Sequence, residues 1–146
     1  MDDDWPARRR EAALAHDRAR RRAEEAETAR ARDLVDHFLT RARELELPTQ
    51  ALRARAYSGS AQYRTGLRGW YLQPSGPLAV GDDGGWYVLI TPPSLLARLR
   101  GVRIAPGAPS LAVGRGARDG ESMSLQELLD RRLAAGAGFR RYTGSS

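Results

Sequence analysis

Leu67-Arg68-Gly69-Trp70-Tyr71-Leu72-Gln73-Pro74-Ser75-Gly76-Pro77-Leu78-Ala79-Val80-Gly81 lays out a β-hairpin along the chain. An apolar stretch opens on Leu-Arg-Gly, a turn is bounded by two prolines, and a short return strand ends on glycine. The second stretch, Leu99-Arg100-Gly101-Val102-Arg103-Ile104-Ala105-Pro106-Gly107-Ala108-Pro109-Ser110-Leu111-Ala112-Val113-Gly114, follows the same plan with Ser110 inserted. Each copy runs into a Gly/Asp loop, at 82–85 and at 115–120, and each is followed by a serine that can start a helix, Ser94 and Ser124. The pattern predicts a hairpin used twice, although the matching residues are also the commonest types in this chain. Its shared positions are turn residues and core aliphatics, so the repeat specifies a scaffold and no chemistry.

Working outward, Asp82-Asp83-Gly84-Gly85 is a hairpin turn by composition, because these residues tolerate positive φ. The continuous apolar run from Trp86 to Thr91 reads as the central strand of a sheet. Upstream, Leu52, Ala54 and Ala56 alternate with Arg53, Arg55 and Tyr57, the period of a half-buried strand. Downstream, Ser124-Leu125-Gln126-Glu127 has the spacing of a capping box and opens a helix with Leu125, Leu128, Leu129 and Leu133 on one face. Gly136 is a natural C-cap, and residues 137–146 read as a flexible basic tail.

The N-terminal third is different. From Trp5 to Leu47 there is no glycine, and the only proline, Pro6, lies where a missing N–H does no harm. Pro48 supplies the stop. The spacing predicts a helix of about 40 residues, some 60 Å long at ~1.5 Å per residue. Leu34, Val35, Phe38, Ala42 and Leu45 form a stripe large enough to anchor a core, whereas Ala12, Ala15, Ala19, Ala23 and Ala26 form a narrower one. A body of about 95 residues should be only some 30–35 Å across. The first half of the helix should therefore overhang, either standing in solvent or meeting a partner helix through its alanines. The expected fold class is α+β: a projecting charged segment over 1–33, then a body over 34–136 with helix 34–47, a twisted antiparallel sheet of five to six short strands over 51–114, and a helix over 124–135.

Composition bounds the function. The chain has 146 residues and no cysteine, which excludes disulfides, thiolate metal sites and a cysteine nucleophile. All 24 basic side chains are arginine, the usage of a GC-rich bacterial genome, so arginine alone does not argue for phosphate chemistry. A net charge of +6 permits an anionic partner without requiring one. Nothing approaches ~18 consecutive apolar residues, and Met1-Asp2-Asp3-Asp4 lacks the layout of a signal peptide, so a cytoplasmic protein without membrane contact is expected.

No catalytic, metal or cofactor set emerges. His16 and His37 are 21 residues apart on one helix, and the two carboxylates near His37, Asp33 and Asp36, do not make a zinc ligand set. Arg118-Asp119-Gly120-Glu121-Ser122 gathers carboxylates before a helix start, where dipole and turn chemistry already explain acidic residues. The group with the most to offer is Arg53, Arg55, Tyr57, Tyr63, Arg64 and Arg68, joined by Arg115 and Arg118: arginines interleaved with aromatics can follow a phosphate backbone. The expected function is thus a non-catalytic interaction module that docks to another protein or to itself through the helix stripe Ala12, Ala15, Ala19, Ala23 and Ala26. The alternative is a small RNA- or single-stranded-DNA-binding protein using the arginine face.

Overall fold

The computed structural model describes residues 4–114 and 122–142. The protein is α+β: a long N-terminal helix, a mixed five-stranded sheet, a small two-stranded sheet and a C-terminal helix. Helix α1 runs Trp5–Glu44, with Pro6 in its first turn. The chain then reverses through Glu46, which takes φ +53°. This turn exposes Leu45 and buries Leu47 instead, so the core stripe ends one step later than the helical period alone implies.

Strands β1 (Gln50–Ala56), β2 (Gln62–Tyr71), β3 (Leu78–Gly81) and β4 (Trp86–Val88) form an antiparallel meander. The first hairpin of the near-repeat is β2–β3, with Trp70 opposite Val80 and Tyr71 opposite Ala79. Gly69 is obligatory there. A Cβ on it would lie 2.1 Å from the Val80 carbonyl oxygen, so no side chain fits between these strands.

The run from Trp86 to Thr91 is not one central strand. It breaks at Leu89 into β4 and β5 (Ile90–Thr91), which occupy opposite edges in the order β4-β3-β2-β1-β5. In a flat sheet those edges would be about 19 Å apart at ~4.8 Å per strand. The two residue steps from Val88 to Ile90 span at most about 7 Å. The sheet must therefore roll until its edges nearly meet. Leu89 is the joint: its N–H donates to the Pro77 carbonyl on one side, and its carbonyl accepts from the Arg55 N–H on the other. Because β5 returns alongside β1 after this bend, the pairing is parallel, and the expected all-antiparallel sheet is in fact mixed.

Rolling splits the aromatic pairs between two cores. Trp70, Leu72, Val80 and Trp86 face the helices and pack with Val35 and Phe38 of α1 and Leu125, Leu128 and Leu129 of α3 (Leu125–Ala135). Their neighbours Tyr71, Ala79 and Tyr87 turn inward with Leu52, Ala54 and Leu89 to fill the rolled sheet. Phe38 meets Trp70 edge-on at 6.0 Å, and the Trp70 indole N–H donates to the Leu47 carbonyl. Ser124 caps α3 by accepting from the Glu127 N–H.

The second copy of the near-repeat forms no such hairpin. Leu99 and Arg100 end the short helix α2 (Leu95–Arg100), capped by Ser94, and residues 101–110 cross the body without a strand. Apart from a single bridge at Gly107, the strand of this copy is β6 (Ala112–Val113), which pairs with β7 (Met123–Ser124).

Candidate functional site

Two features lie outside the packing just described. The first is the N-terminal part of α1. Residues 31–42 contribute all four buried positions of the helix, Ala31, Val35, Phe38 and Ala42. Arg32 and Arg43 tie this half to the β3–β4 turn through the carbonyls of Gly84 and Asp82. Residues 5–30 bury nothing, and Ala12, Ala15, Ala19, Ala23 and Ala26 are all exposed. The overhang is 26 residues, about 39 Å at ~1.5 Å each. Local support is thin: among the described residues it holds one ion pair, Arg20–Asp17 at 3.5 Å, and one stack of Arg9 on Trp5.

The second feature is the arginine face of β1 and β2. Burial alternates along β1, sending Leu52, Ala54 and Ala56 inward and leaving Arg53 and Arg55 outside. The register sets Arg53 opposite Arg64 and Arg55 opposite Gln62. Like charges placed across a ladder repel unless an anion lies between them. Arg64 donates to the Leu99 carbonyl and Arg68 to the Thr49 carbonyl, neutral partners that bring no counter-charge. The four ion pairs among the described residues all lie within α1 or α3, and none touches this face.

Charge is unevenly divided along the chain. Residues 1–46 hold 11 arginines against 12 acids, whereas residues 47–146 hold 13 against 6. Of the body's acids, Asp83 is engaged: it accepts from the Tyr87 hydroxyl at 2.7 Å and from the Gly85 N–H. Those bonds hold its carboxyl below the ordinary range, and burial with the Asp83 bond pushes the Tyr87 phenol up to about 12.

The expected set is only partly assembled. Arg53, Arg55 and Arg64 share the open face, with Arg68 further along β2 and Tyr57 exposed beyond the end of β1. Tyr63 is a correction: it is 2 % exposed, opposite Ala54, and its hydroxyl accepts from the Ser94 N–H. It anchors α2 to the sheet and offers no stacking surface. Trp70, Tyr71, Trp86 and Tyr87 are buried as well. Arg115, Arg118, Asp119 and Glu121 lie outside the described residues. His16 and His37 are both exposed on α1, and no metal-holding group of His, Asp and Glu occurs among the described residues.

Two arginines were missed by sequence reading. Arg132 is 5 % exposed; its Nε donates to the Tyr71 carbonyl, its Nη1 to the Gly136 carbonyl, and its guanidinium lies over Phe139. Burial alone lowers its pKa to about 10. Arg141 covers the Tyr71 ring at 4.1 Å and donates to the Gln73 and Gly76 carbonyls. With the Tyr142 N–H bonded to the Pro74 carbonyl, the first part of the stretch expected to be a flexible tail lies against the β2–β3 turn. No helix among the described residues is long and apolar enough to cross a membrane. Compared with known protein families, with curated proteins and with solved structures, the chain matches none.

Proposed function

We propose that the protein is a non-catalytic interaction module that self-associates through the overhanging half of α1. The observation behind this reading is that residues 5–30 form a continuous helix with no buried residue, beside a body that packs only residues 31–42. An isolated helix gains little from backbone hydrogen bonding alone, and tertiary burial normally supplies its stability. The alanine stripe lets a second helix approach closely, and the charge blocks suit an antiparallel copy. Centring such a pair between Arg22 and Ala23 brings Arg18, Arg20 and Arg21 of one helix level with Glu27, Glu25 and Glu24 of the other.

Size-exclusion chromatography with light scattering tests this. The full-length chain should run as a dimer and a form lacking residues 1–30 as a folded monomer. The double substitution Arg20→Glu with Arg21→Glu should break the dimer, and adding Glu24→Arg with Glu25→Arg should restore it. A full-length chain that is monomeric at ~100 μM, typical of weak protein association, would remove self-association.

A second reading rests on the arginine face. Arg53 opposite Arg64, with no carboxylate among the described residues pairing to either, favours contact with a nucleic-acid backbone. The burial of Tyr63, Trp70 and Trp86 leaves Tyr57 alone of that group's aromatics for base stacking, so this contact would be sequence-blind and weaken steeply with salt.

A further inference from the structure

Where β1, the joint at Leu89, the β2–β3 turn and the C-terminal segment meet, they enclose a cavity of about 270 Å³. Arg53, Arg55 and Arg141 line it, with Ser60, Ser75 and Gln62, and no carboxylate among the described residues is in its walls. The sheet places two of these cations: Arg53 and Arg55 stand two residues apart on the same side of β1, with Gln62 opposite Arg55.

Arg141 arrives from the other side and is fixed before any ligand comes. Stacking on Tyr71 holds its plane, and both N–H groups of Nη1 go to the Gln73 and Gly76 carbonyls at 2.8 Å each. Its Nη2 and Nε make no hydrogen bond to the described residues, leaving three donors for a ligand. Burial lowers its pKa, and the neighbouring Arg55 adds to that effect. A half-buried cation beside two others is an unfavourable arrangement that an anion would relieve.

We propose that this cavity binds a phosphate monoester carried by a small molecule no larger than a nucleoside monophosphate. Three guanidinium groups match a doubly charged group with three free oxygens better than a carboxylate with two. The volume lies just below the usual ~300–1,000 Å³ of ligand pockets, enough for a phosphate and a modest substituent. None of residues 5–30 lines the cavity, so this site stands or falls separately from helix-mediated association.

Isothermal titration calorimetry on the full-length protein decides it, with inorganic phosphate, adenosine 5′-monophosphate, adenosine, and a single-stranded DNA 12-mer lacking a terminal phosphate as probes. Inorganic phosphate and adenosine 5′-monophosphate should bind one per chain, and adenosine should not. Arg53→Gln with Arg55→Gln, both exposed and so safe for folding, should weaken that binding by about tenfold or more. Arg64→Gln, outside the cavity, should leave it unchanged, and Arg55→Lys should fall between. The proposal is overturned if neither phosphate probe binds at millimolar concentration, or if adenosine binds as well as its monophosphate. It is equally overturned if only the 12-mer binds, with Arg64→Gln as damaging as the cavity pair, because the open arginine face would then be the site.

Discussion

Residues 5–30 and residues 31–44 belong to one unbroken helix and obey different rules. The C-terminal part places Val35 and Phe38 in the core, reaches the β3–β4 turn through Arg32 and Arg43, and packs beside α3. The N-terminal part buries no residue, only bordering Gly107 to Pro109 of the body with its last turns from Arg21 to Ala29, and is built of alanine and charge. Helical propensity alone does not separate them, since Ala, Arg, Glu and Leu are good helix formers in both. Side-chain volume on one face does. Where the stripe changes from alanine to Val35 and Phe38, the helix changes from an arm into a wall of the core.

The largest test of that contrast is Phe38→Ala, which should cost about 3–5 kcal/mol of unfolding free energy by urea titration. Ala19→Gly, half a helix away, should leave the unfolding midpoint of the body nearly unchanged. Equal effects would mean the two parts are not distinct.

Next is Arg132→Ala, which probes the support that α3 gives the docked half. It strands the Tyr71 and Gly136 carbonyls and removes the stack on Phe139, and should destabilise by about 2–3 kcal/mol. A variant as stable as the parent would show that this buried cation contributes no net stability, as some buried charges do not.

The smallest effect is expected at Asp83, which organises the turn that Arg32 and Arg43 grip. Its carboxyl is held below the ordinary value, first by the Tyr87 hydroxyl, so the folded state binds fewer protons than the unfolded one. That contribution is present above about pH 4 and is lost as pH falls through the depressed value. Asp83→Asn should therefore flatten the acid limb of the stability curve. Tyr87 works in the other direction: with its phenol raised to about 12, its contribution holds below about pH 10 and fades above it, which absorbance titration of tyrosinate can follow.

Much of the helix could be read directly from the chain, because the absence of glycine, the early Pro6 and the later Pro48 state its length, and residue size states where it docks. The hairpin β2–β3 and both serine caps were equally legible. The rolled sheet was not. Trp86 to Thr91 reads as one apolar run because the residues flanking the bend, Val88 and Ile90, are apolar although exposed, and no glycine or proline marks Leu89. The second copy of the repeat formed no hairpin although Val102 and Ile104 suit a strand, because its opening Leu99 and Arg100 are taken up by the end of α2. Arg132 could have been found: it lies seven residues after Leu125, on the same helical face as Leu125, Leu128 and Leu129. Arg141 carried no such signal, since its partners are a tyrosine 70 positions away and two turn carbonyls.

The closure at Leu89 also bears on strand-to-strand association between copies. Its outer strands, β4 and β5, are three and two residues long; β4 is additionally bridged at Trp86 by Gly107, and Leu89 uses its N–H and its carbonyl on opposite sides of the closure. Short, occupied margins leave a neighbouring chain almost no backbone to copy, the condition under which strand-by-strand growth into fibrils is suppressed. Concentrated solutions of the folded protein should therefore stay free of cross-β order.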